Sequence, residues 1–309
     1  MIQVSHLTKR FDTFPALTDI SCTIQQGCIY GMVGSNGAGK STFLRLITGI
    51  YRADGGTVTL DGESVWENPA VKERIGFVPD ELYFLNNATI ERMMQLYAHA
   101  YRRFDEKRCR ELVAAFRLDP KKPIAQFSKG MKRQAAILLT ISCRPDYLFF
   151  DETFDGLDPV MRRVVKGLIC SDVAERKATA IITSHSLREL EDTCDQLALL
   201  HRGGLVFERD ISDLKTSLLK VQIAFHGDFS REDFPDLDIL HFSRHGSVAT
   251  LILRGERELI LKGSANLVDA MLENQKFMFT YHVGVTEHHP YESRWYQWLG
   301  DGRPILYYL

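Results

Sequence analysis

The sequence has no long apolar run, no stretch rich in proline, glycine or serine, and no excess of one charge. A helix that spans a bilayer needs about 20 mostly apolar residues, so we expect any membrane role to depend on a partner protein. Met1 to Lys9 lacks a charged region followed by an apolar core, so we expect no secretory leader. The formal net charge of −2 argues against a dense basic surface, and we expect no nucleic-acid partner.

The cysteines and histidines form no recognisable disulfide or metal pattern. The six cysteines include no C-x-x-C pair, and several lie in apolar or helical patterns where a buried thiol behaves as a small hydrophobic group. This usage predicts a reduced, cytosolic protein. His288 and His289 are adjacent, but no neighbouring cysteine or helical partner completes a ligand set, so a polar loop is favoured there.

The length of 309 residues predicts two domains, since a domain averages about 150 residues. Apolar strand-like runs alternate with helical patterns from the start to about Leu200, which predicts an α/β domain with a mainly parallel sheet. The clearest buried strands are Ile29 to Val33, Tyr147 to Phe150 and Ala178 to Thr183. We place this first domain at residues 1–214.

A helical insertion interrupts the strand pattern. Strand signals vanish between Thr89 and Gln126, and apolar residues from Cys109 to Phe116 repeat at i, i+3, i+4 and i+7 behind Asp105, a suitable N-cap. We therefore predict a helical subdomain over about residues 89–145.

The pattern changes again in residues 220–309. Apolar residues alternate from Val221 to Phe225, and Val248 to Leu253 and Phe277 to Val283 have an extended pattern, whereas Leu267 to Leu272 is helical. The sequence therefore predicts a small C-terminal α+β accessory domain.

A glycine-rich loop matches G-x-x-x-x-G-K-[ST] over Gly34 to Ser41, between a strand and a helical run. Its glycines let successive N–H groups turn inward, and the following helix adds its positive dipole end, so the loop can bind polyphosphate. Lys40 would bridge the β- and γ-phosphates, and the Ser41 hydroxyl would bind Mg²⁺. The predicted nucleotide-binding residues of this segment are Gly34, Ser35, Asn36, Gly37, Ala38, Gly39, Lys40, Ser41 and Thr42.

Two carboxylates end the apolar strand that starts at Tyr147. Asp151 is the residue expected near the Mg²⁺ of the glycine-rich loop. Glu152 would face the attacking water, which a carboxylate within hydrogen-bond reach can orient and deprotonate. A solvated acidic turn is the alternative, and the upstream loop weighs against it.

Phe127 to Gln134 resembles the signature motif of ATP-binding cassette proteins, with Ser128 and Gly130 at its central positions. The motif precedes the acidic strand, and His185 follows the next strand where the family carries its switch histidine. The resemblance covers about Ile2 to Leu214. It implies a P-loop ATPase that binds ATP and Mg²⁺, with Glu152 and His185 as catalytic residues and with Ser128 and His185 in contact with the γ-phosphate.

The resemblance also assigns two further positions. Phe11 resembles the aromatic residue that stacks on adenine, and a core position is the alternative. Asp155 to Asp158 resembles the loop that crosses to the opposite subunit, and Asp158 before Pro159 also suits a helix N-cap. Two subunits of this family pack head to tail, so each ATP would lie between one glycine-rich loop and the partner's Ser128.

The sequence departs from the family pattern at a few positions. Asp80 stands where the family presents a glutamine to the metal and the water, and an aspartate can also bind Mg²⁺. Lys129 replaces a glycine and Phe127 a leucine, variants that resemble the ATPases of ABC-2 type export systems.

The expected function is therefore an ATP-hydrolysing subunit of a transporter at the inner face of the cell membrane, with export as the expected direction. Its implied partners are a second copy of itself, or a homologous ATPase subunit, and an integral membrane permease. The alternatives are a soluble cassette ATPase that remodels a ribosome or nucleic acid, and a nucleotide-gated sensor, which Glu152 makes less attractive.

Overall fold

The chain forms two compact units, Met1–Ile211 and Ser212–Leu309. The computed structural model describes residues 1–213, 218–224, 230–233, 238–246 and 248–254. In these segments, every helix is too short or too polar to traverse a lipid bilayer.

The first unit contains ten strands and seven α-helices within its described residues. The strands are β1 Ile2–Phe11, β2 Phe14–Ile24, β3 Ile29–Val33, β4 Gly55–Leu60, β5 Glu63–Ser64, β6 Ile75–Val78, β7 Tyr147–Asp151, β8 Thr179–Ser184, β9 Gln196–His201 and β10 Gly204–Asp210. The helices are α1 Lys40–Ile47, α2 Pro69–Lys72, α3 Ile90–Ala100, α4 Glu106–Ala115, α5 Lys129–Ser142, α6 Pro159–Arg176 and α7 Leu187–Leu190.

The central sheet has the strand order β10-β9-β3-β8-β7-β6, and all its pairs are parallel except β9 with β10. Strands β7 and β8 are buried along their whole length, as continuous apolar runs in a parallel sheet are. Val33 pairs with Ser184 and Asp151 with Thr183, so the carboxyl ends of three strands lie at one edge. Binding sites of parallel sheets form at this edge.

A second sheet of the first unit is antiparallel, with the order β2-β1-β4-β5. The sequence prediction of a strand–helix alternation from the start of the chain missed it. Irregular register between β1 and β2 explains this, because bulges break the strict alternation that marks a half-buried strand. The fully buried Ile2, Leu17 and Leu60 of this sheet share a core with Phe43 of α1 and Phe149 of β7.

The predicted helical character after Thr89 is confirmed, since α3, α4 and α5 fall in this part of the chain. The Asp105 side chain accepts a hydrogen bond from Arg108 N at 2.9 Å, as expected of an N-cap. Asp158 caps α6 in the same way, accepting from Val160 N at 3.0 Å and from Met161 N at 2.9 Å.

The six cysteines form no disulfide. Cys170 is exposed, Cys28 is partly buried and the other four are buried. Burial raises the pKa of the Cys109 thiol to about 11, so this side chain acts as a small apolar group in its helix.

The second unit contains an antiparallel sheet of order β11-β13-β12, formed by β11 Leu218–Ala224, β12 Ile239–His245 and β13 Val248–Arg254. The extended patterns predicted at Val221 and from Val248 to Leu253 are confirmed. The predicted strand Phe277 to Val283, the predicted helix Leu267 to Leu272, and the pair His288 and His289 lie outside the described residues.

Candidate functional site

An open cleft of about 410 Å³ lies at the carboxyl edge of the central sheet. This volume is within the usual range for a small-molecule site, roughly 300–1,000 Å³. Most of the predicted site residues meet there. The lining residues are Phe11, Phe14, Ala16, Asn36, Gly37, Gly39, Lys40, Ser41, Thr42, Asp80, Glu152, Asp155 and His185.

The glycine-rich loop between β3 and α1 forms the floor of this cleft. Gly39 has a φ of +107°, and a Cβ atom there would come within 2.6 Å of Leu17 Cδ2, so only glycine fits. Helix α1 begins at Lys40 without a side-chain cap. Its first N–H groups therefore remain available to an anion, and the helix dipole favours one.

Three predicted loop residues shape the loop without lining the cleft. Gly34 N donates to Ser184 O at 3.3 Å, and Ala38 N donates to Ser35 O at 3.0 Å. A Cβ atom on Gly34 would overlap the carbonyl oxygen of Leu200, so this glycine allows the loop to cross the sheet edge closely.

The Lys40 side chain is buried and holds both the loop and the acidic strand end. Its Nζ donates to Gly34 O at 2.7 Å and to Ser35 O at 3.2 Å. The same ammonium lies 2.9 Å from Glu152 Oε1. An ammonium held at the floor of the cleft can bind a phosphate oxygen.

Glu152 is bound from two sides. Its second carboxylate oxygen, Oε2, lies 2.9 Å from His185 Nδ1 and accepts from His185 N at 3.3 Å. Desolvation raises the pKa of Glu152, but the hydrogen bonds from Lys40 and His185 and their charges outweigh it, so the pKa lies below its usual value. The hydrogen bond to Glu152 in turn raises the pKa of His185. Glu152 is thus ionised and fixed at the cleft wall.

The backbone of Glu152 is itself unusual, because its φ of 46° lies in the left-handed region. Residues held there cost free energy and concentrate at functional sites. Donor atoms of Glu152, Asp155 and His185 lie within 4.8 Å of one another, so this strand end and the end of β8 form one polar cluster.

Asp151 is fully buried, and only one of its two carboxylate oxygens has a hydrogen-bond partner. Its Oδ1 accepts from Thr183 Oγ1 at 2.8 Å, whereas its Oδ2 is buried without a hydrogen-bond partner. Burial raises the pKa of Asp151, the nearby Ser41 and Thr183 hydroxyls lower it, and the net shift is upward. A buried carboxylate oxygen with a free lone pair beside a serine hydroxyl suits a hard divalent cation.

Asp80 follows β6 and lines the same cleft, and its carboxylate also forms an ion pair with Arg133. Its Oδ1 lies 2.9 Å from Arg133 Nη2, and Arg133 comes from α5. Arg133 lies within the signature-like segment Phe127 to Gln134, but the resemblance of that segment assigned it no contact. Its pairing with Asp80 depends on the approach of two segments 53 residues apart.

Phe11 lies at the cleft with 41% of its surface exposed, so the core alternative is wrong. Its ring packs edge-on against Tyr51 at 5.6 Å between centroids. Phe14 lines the same cleft with 63% exposed. Phe14 was not predicted from the sequence, because the turn between β1 and β2 that brings it beside Phe11 was not recognised there.

Ser128 and Gly130 do not line the cleft of their own chain. Ser128 is exposed and caps α5, accepting from Met131 N at 3.2 Å. A Cβ atom on Gly130 would come within 2.7 Å of Gly156 O, so glycine allows α5 to approach the loop after Glu152.

Comparisons with known proteins identify relatives of this chain. A family model described as ABC transporter matches residues 17–155. The chain is 34% identical over 242 residues to the ABC transporter ATP-binding protein YtrB of Bacillus subtilis, which covers 77% of this chain and 83% of that protein. It is 31% identical over 221 residues to the bacitracin transport ATP-binding protein BcrA of Bacillus licheniformis, which covers 70% of this chain and 71% of that protein.

A solved ATP-binding subunit of an ABC transporter has a TM-score of 0.65 with this chain at 26% identity, covering 70% of this chain and 92% of that one. These findings confirm the family and the P-loop fold predicted from the motifs. The chain belongs to the ATP-binding cassette transporter family, as an ATP-binding and ATP-hydrolysing subunit.

Proposed function

We propose that two copies of this chain, or one copy and a homologous subunit, close head to tail around two ATP molecules. The position of Ser128 carries this proposal. Ser128 lies at the exposed N-terminus of α5, away from the cleft that contains Lys40. The Ser128 side chain caps one N–H group of α5, and the remaining first-turn N–H groups and the helix dipole can bind an anion. A phosphate bound in the cleft of a second subunit can supply that anion.

Within each cleft, the nucleotide contacts follow from the charges present. The loop from Gly34 to Thr42 and the ammonium of Lys40 bind the phosphates, and Phe11 stacks on the adenine. Ser41 and the unpaired Oδ2 of Asp151 fit Mg²⁺, which when bound neutralises phosphate charge.

Glu152 acts as the general base. Its lowered pKa keeps the carboxylate ionised. When Lys40 turns to the phosphates, part of that lowering is removed, so the carboxylate becomes a stronger base towards the attacking water. His185 holds Oε2 of this carboxylate and keeps it oriented. Loss of the γ-phosphate removes a shared anion from the two subunits and loosens the dimer.

The mechanical output is transport through a separate permease at the cytoplasmic face of the cell membrane, in the direction of export. The names of the relatives, one of them a bacitracin transport protein, and the export-type variant of the signature motif support this proposal over the soluble alternative.

Dimerisation is tested by light scattering on the Glu152→Gln protein with and without ATP. ATP should convert the monomer to a dimer. Adding Ser128→Glu should prevent the dimer while leaving ATP binding intact, because a negative charge would then face the partner's phosphates. Ser171→Glu, on the exposed side of α6, is the matched control. A dimer that survives Ser128→Glu would contradict the proposal.

The permease is tested by co-purification. The tagged chain should retain a membrane protein that has several helices of about 20 apolar residues and is encoded in the same gene neighbourhood. Retention of ribosomes in place of such a protein would contradict the transport function.

We further propose that residues 220–309 form an accessory domain that regulates or supports the dimer. Removing residues 212–309 should change the ATPase rate or the ATP concentration that gives half dimerisation. An unchanged rate and an unchanged dimer would contradict this role.

A further inference from the structure

Arg133 of α5 is almost completely buried, with 1% of its side chain exposed. Its guanidinium makes three hydrogen bonds, and all of them go to one short segment after β6. Nη1 donates to Pro79 O at 2.9 Å and to Asp80 O at 3.0 Å, and Nη2 donates to Asp80 Oδ1 at 2.9 Å. One side chain of α5 therefore holds both the backbone and the carboxylate of Asp80.

Because Arg133 is charged and buried, breaking its contact with Asp80 would cost free energy. A guanidinium remains charged in a protein, and a buried charge is costly without a counter-ion. In the part of the chain that the structure describes, Asp80 is the one carboxylate within ion-pair distance of Arg133. A turn of Asp80 towards a metal in the cleft would leave that charge buried and unpaired.

The pair also connects two functional elements. Asp80 lines the cleft together with Lys40 and Ser41. Arg133 lies in α5, and Ser128 is the N-cap residue of that helix. The fork of the guanidinium fixes direction as well as distance, because two of its nitrogens are engaged.

We propose that Asp80 is the counter-ion of Arg133 and positions α5, and with it Ser128, relative to the cleft, and that it does not bind Mg²⁺. The part concerning Ser128 rests on the proposed ATP-dependent dimer. The part concerning the metal does not, because it can be measured on one subunit. This role differs from the Mg²⁺ binding that the sequence predicts for Asp80.

Whether Asp80 binds the metal is tested on the full-length chain. Mn²⁺ is titrated in the presence of a non-hydrolysable ATP analogue and followed by electron paramagnetic resonance. Asp80→Asn should leave the Mn²⁺ affinity within about twofold of the parent, as for a residue outside the metal shell. Asp151→Asn should weaken it by about tenfold or more, as for a ligand. An equal loss in Asp80→Asn and Asp151→Asn would overturn the proposal.

The positioning role is tested in the Glu152→Gln protein through the ATP concentration that gives half dimerisation. Asp80→Ala and Arg133→Met should each raise this ATP concentration by about fivefold or more. The double variant should raise it by less than the product of the two single factors. Asp80→Glu should restore part of the loss, since it returns the charge. Glu81→Gln, an exposed neighbouring carboxylate, is the matched control and should match the parent.

Independent effects of the two substitutions, or an unchanged midpoint in Asp80→Ala, would overturn the positioning role. The monomer affinity for the ATP analogue should stay within about twofold of the parent in each variant, a readout that a misfolded variant would fail. If the Glu152→Gln parent does not dimerise with ATP, the proposed dimer is wrong, and the Mn²⁺ titration still decides whether Asp80 is a ligand.

Discussion

Lys40 and Glu152 are bound to each other across the cleft, with Nζ 2.9 Å from Oε1. Both side chains are largely buried, with 5% and 12% of their surfaces exposed. The ammonium that would hold phosphates is thus neutralised by the carboxylate that would activate water. A bound polyphosphate must replace this carboxylate as the partner of Lys40. Nucleotide binding therefore releases Glu152 from Lys40.

Glu152→Gln should lower the rate of ATP hydrolysis by about 10²–10⁴-fold, because the general base is lost. ATP should bind at least as tightly as to the parent, since a neutral amide competes less strongly for Lys40. Phosphate release and fluorescent-nucleotide titration measure the two effects. Turnover at the parent rate would show that Glu152 is not the base.

Lys40→Ala should weaken ATP binding roughly 100-fold or more, as expected for losing a buried charged donor to phosphate. The same nucleotide titration measures it. Lys121→Ala, an exposed lysine outside the cleft, should bind as the parent does. Tight binding by Lys40→Ala would remove the phosphate role of this residue.

His185 should titrate above the ordinary histidine pKa of about 6.5, because its hydrogen bond to Glu152 raises its pKa. The stabilisation from this contact is present below the unfolded value and is lost as the pH rises through the raised value. Histidine-selective NMR should show the pKa of His185 moving back towards the ordinary value in Glu152→Gln. A pKa that does not respond would mean that the contact is absent in solution.

Gly39→Ala should lower the free energy of unfolding by about 2–4 kcal/mol, combining the left-handed backbone with an overlap against Leu17. Gly62 has a φ of +84° with open space around it, so Gly62→Ala isolates the backbone cost of about 1 kcal/mol. Urea denaturation of both variants gives the difference. Equal losses would show that the loop has room for a methyl group.

Phe11→Ala should weaken ATP binding by roughly 5- to 150-fold, the effect of losing about 1–3 kcal/mol of base stacking. Its partial exposure means that the melting temperature should change little. Calorimetric titration of Phe11→Ala and Phe14→Ala tells which ring carries the adenine contact. A larger loss in Phe14→Ala would transfer the role to Phe14.

The sequence was sufficient for the phosphate loop, the acidic strand end and the signature helix. These are local features, in which glycine positions, apolar runs and caps such as Ser128 and Asp158 act over a few residues. The antiparallel sheet of the first unit was not predicted, because its strands pair across bulges that blur the alternating pattern. Phe14 was missed for a related reason, since its place at the cleft depends on the turn between β1 and β2.

The sequence by itself determined the family, the order of the motifs and the identity of the groups that would bind ATP. Only the tertiary structure decided which of these groups contact each other. Lys40 meets Glu152 across 112 positions of sequence, and Arg133 meets Asp80 across 53. Such pairs depend on how strands and helices pack, and a buried charge takes whichever counter-ion the fold brings within reach.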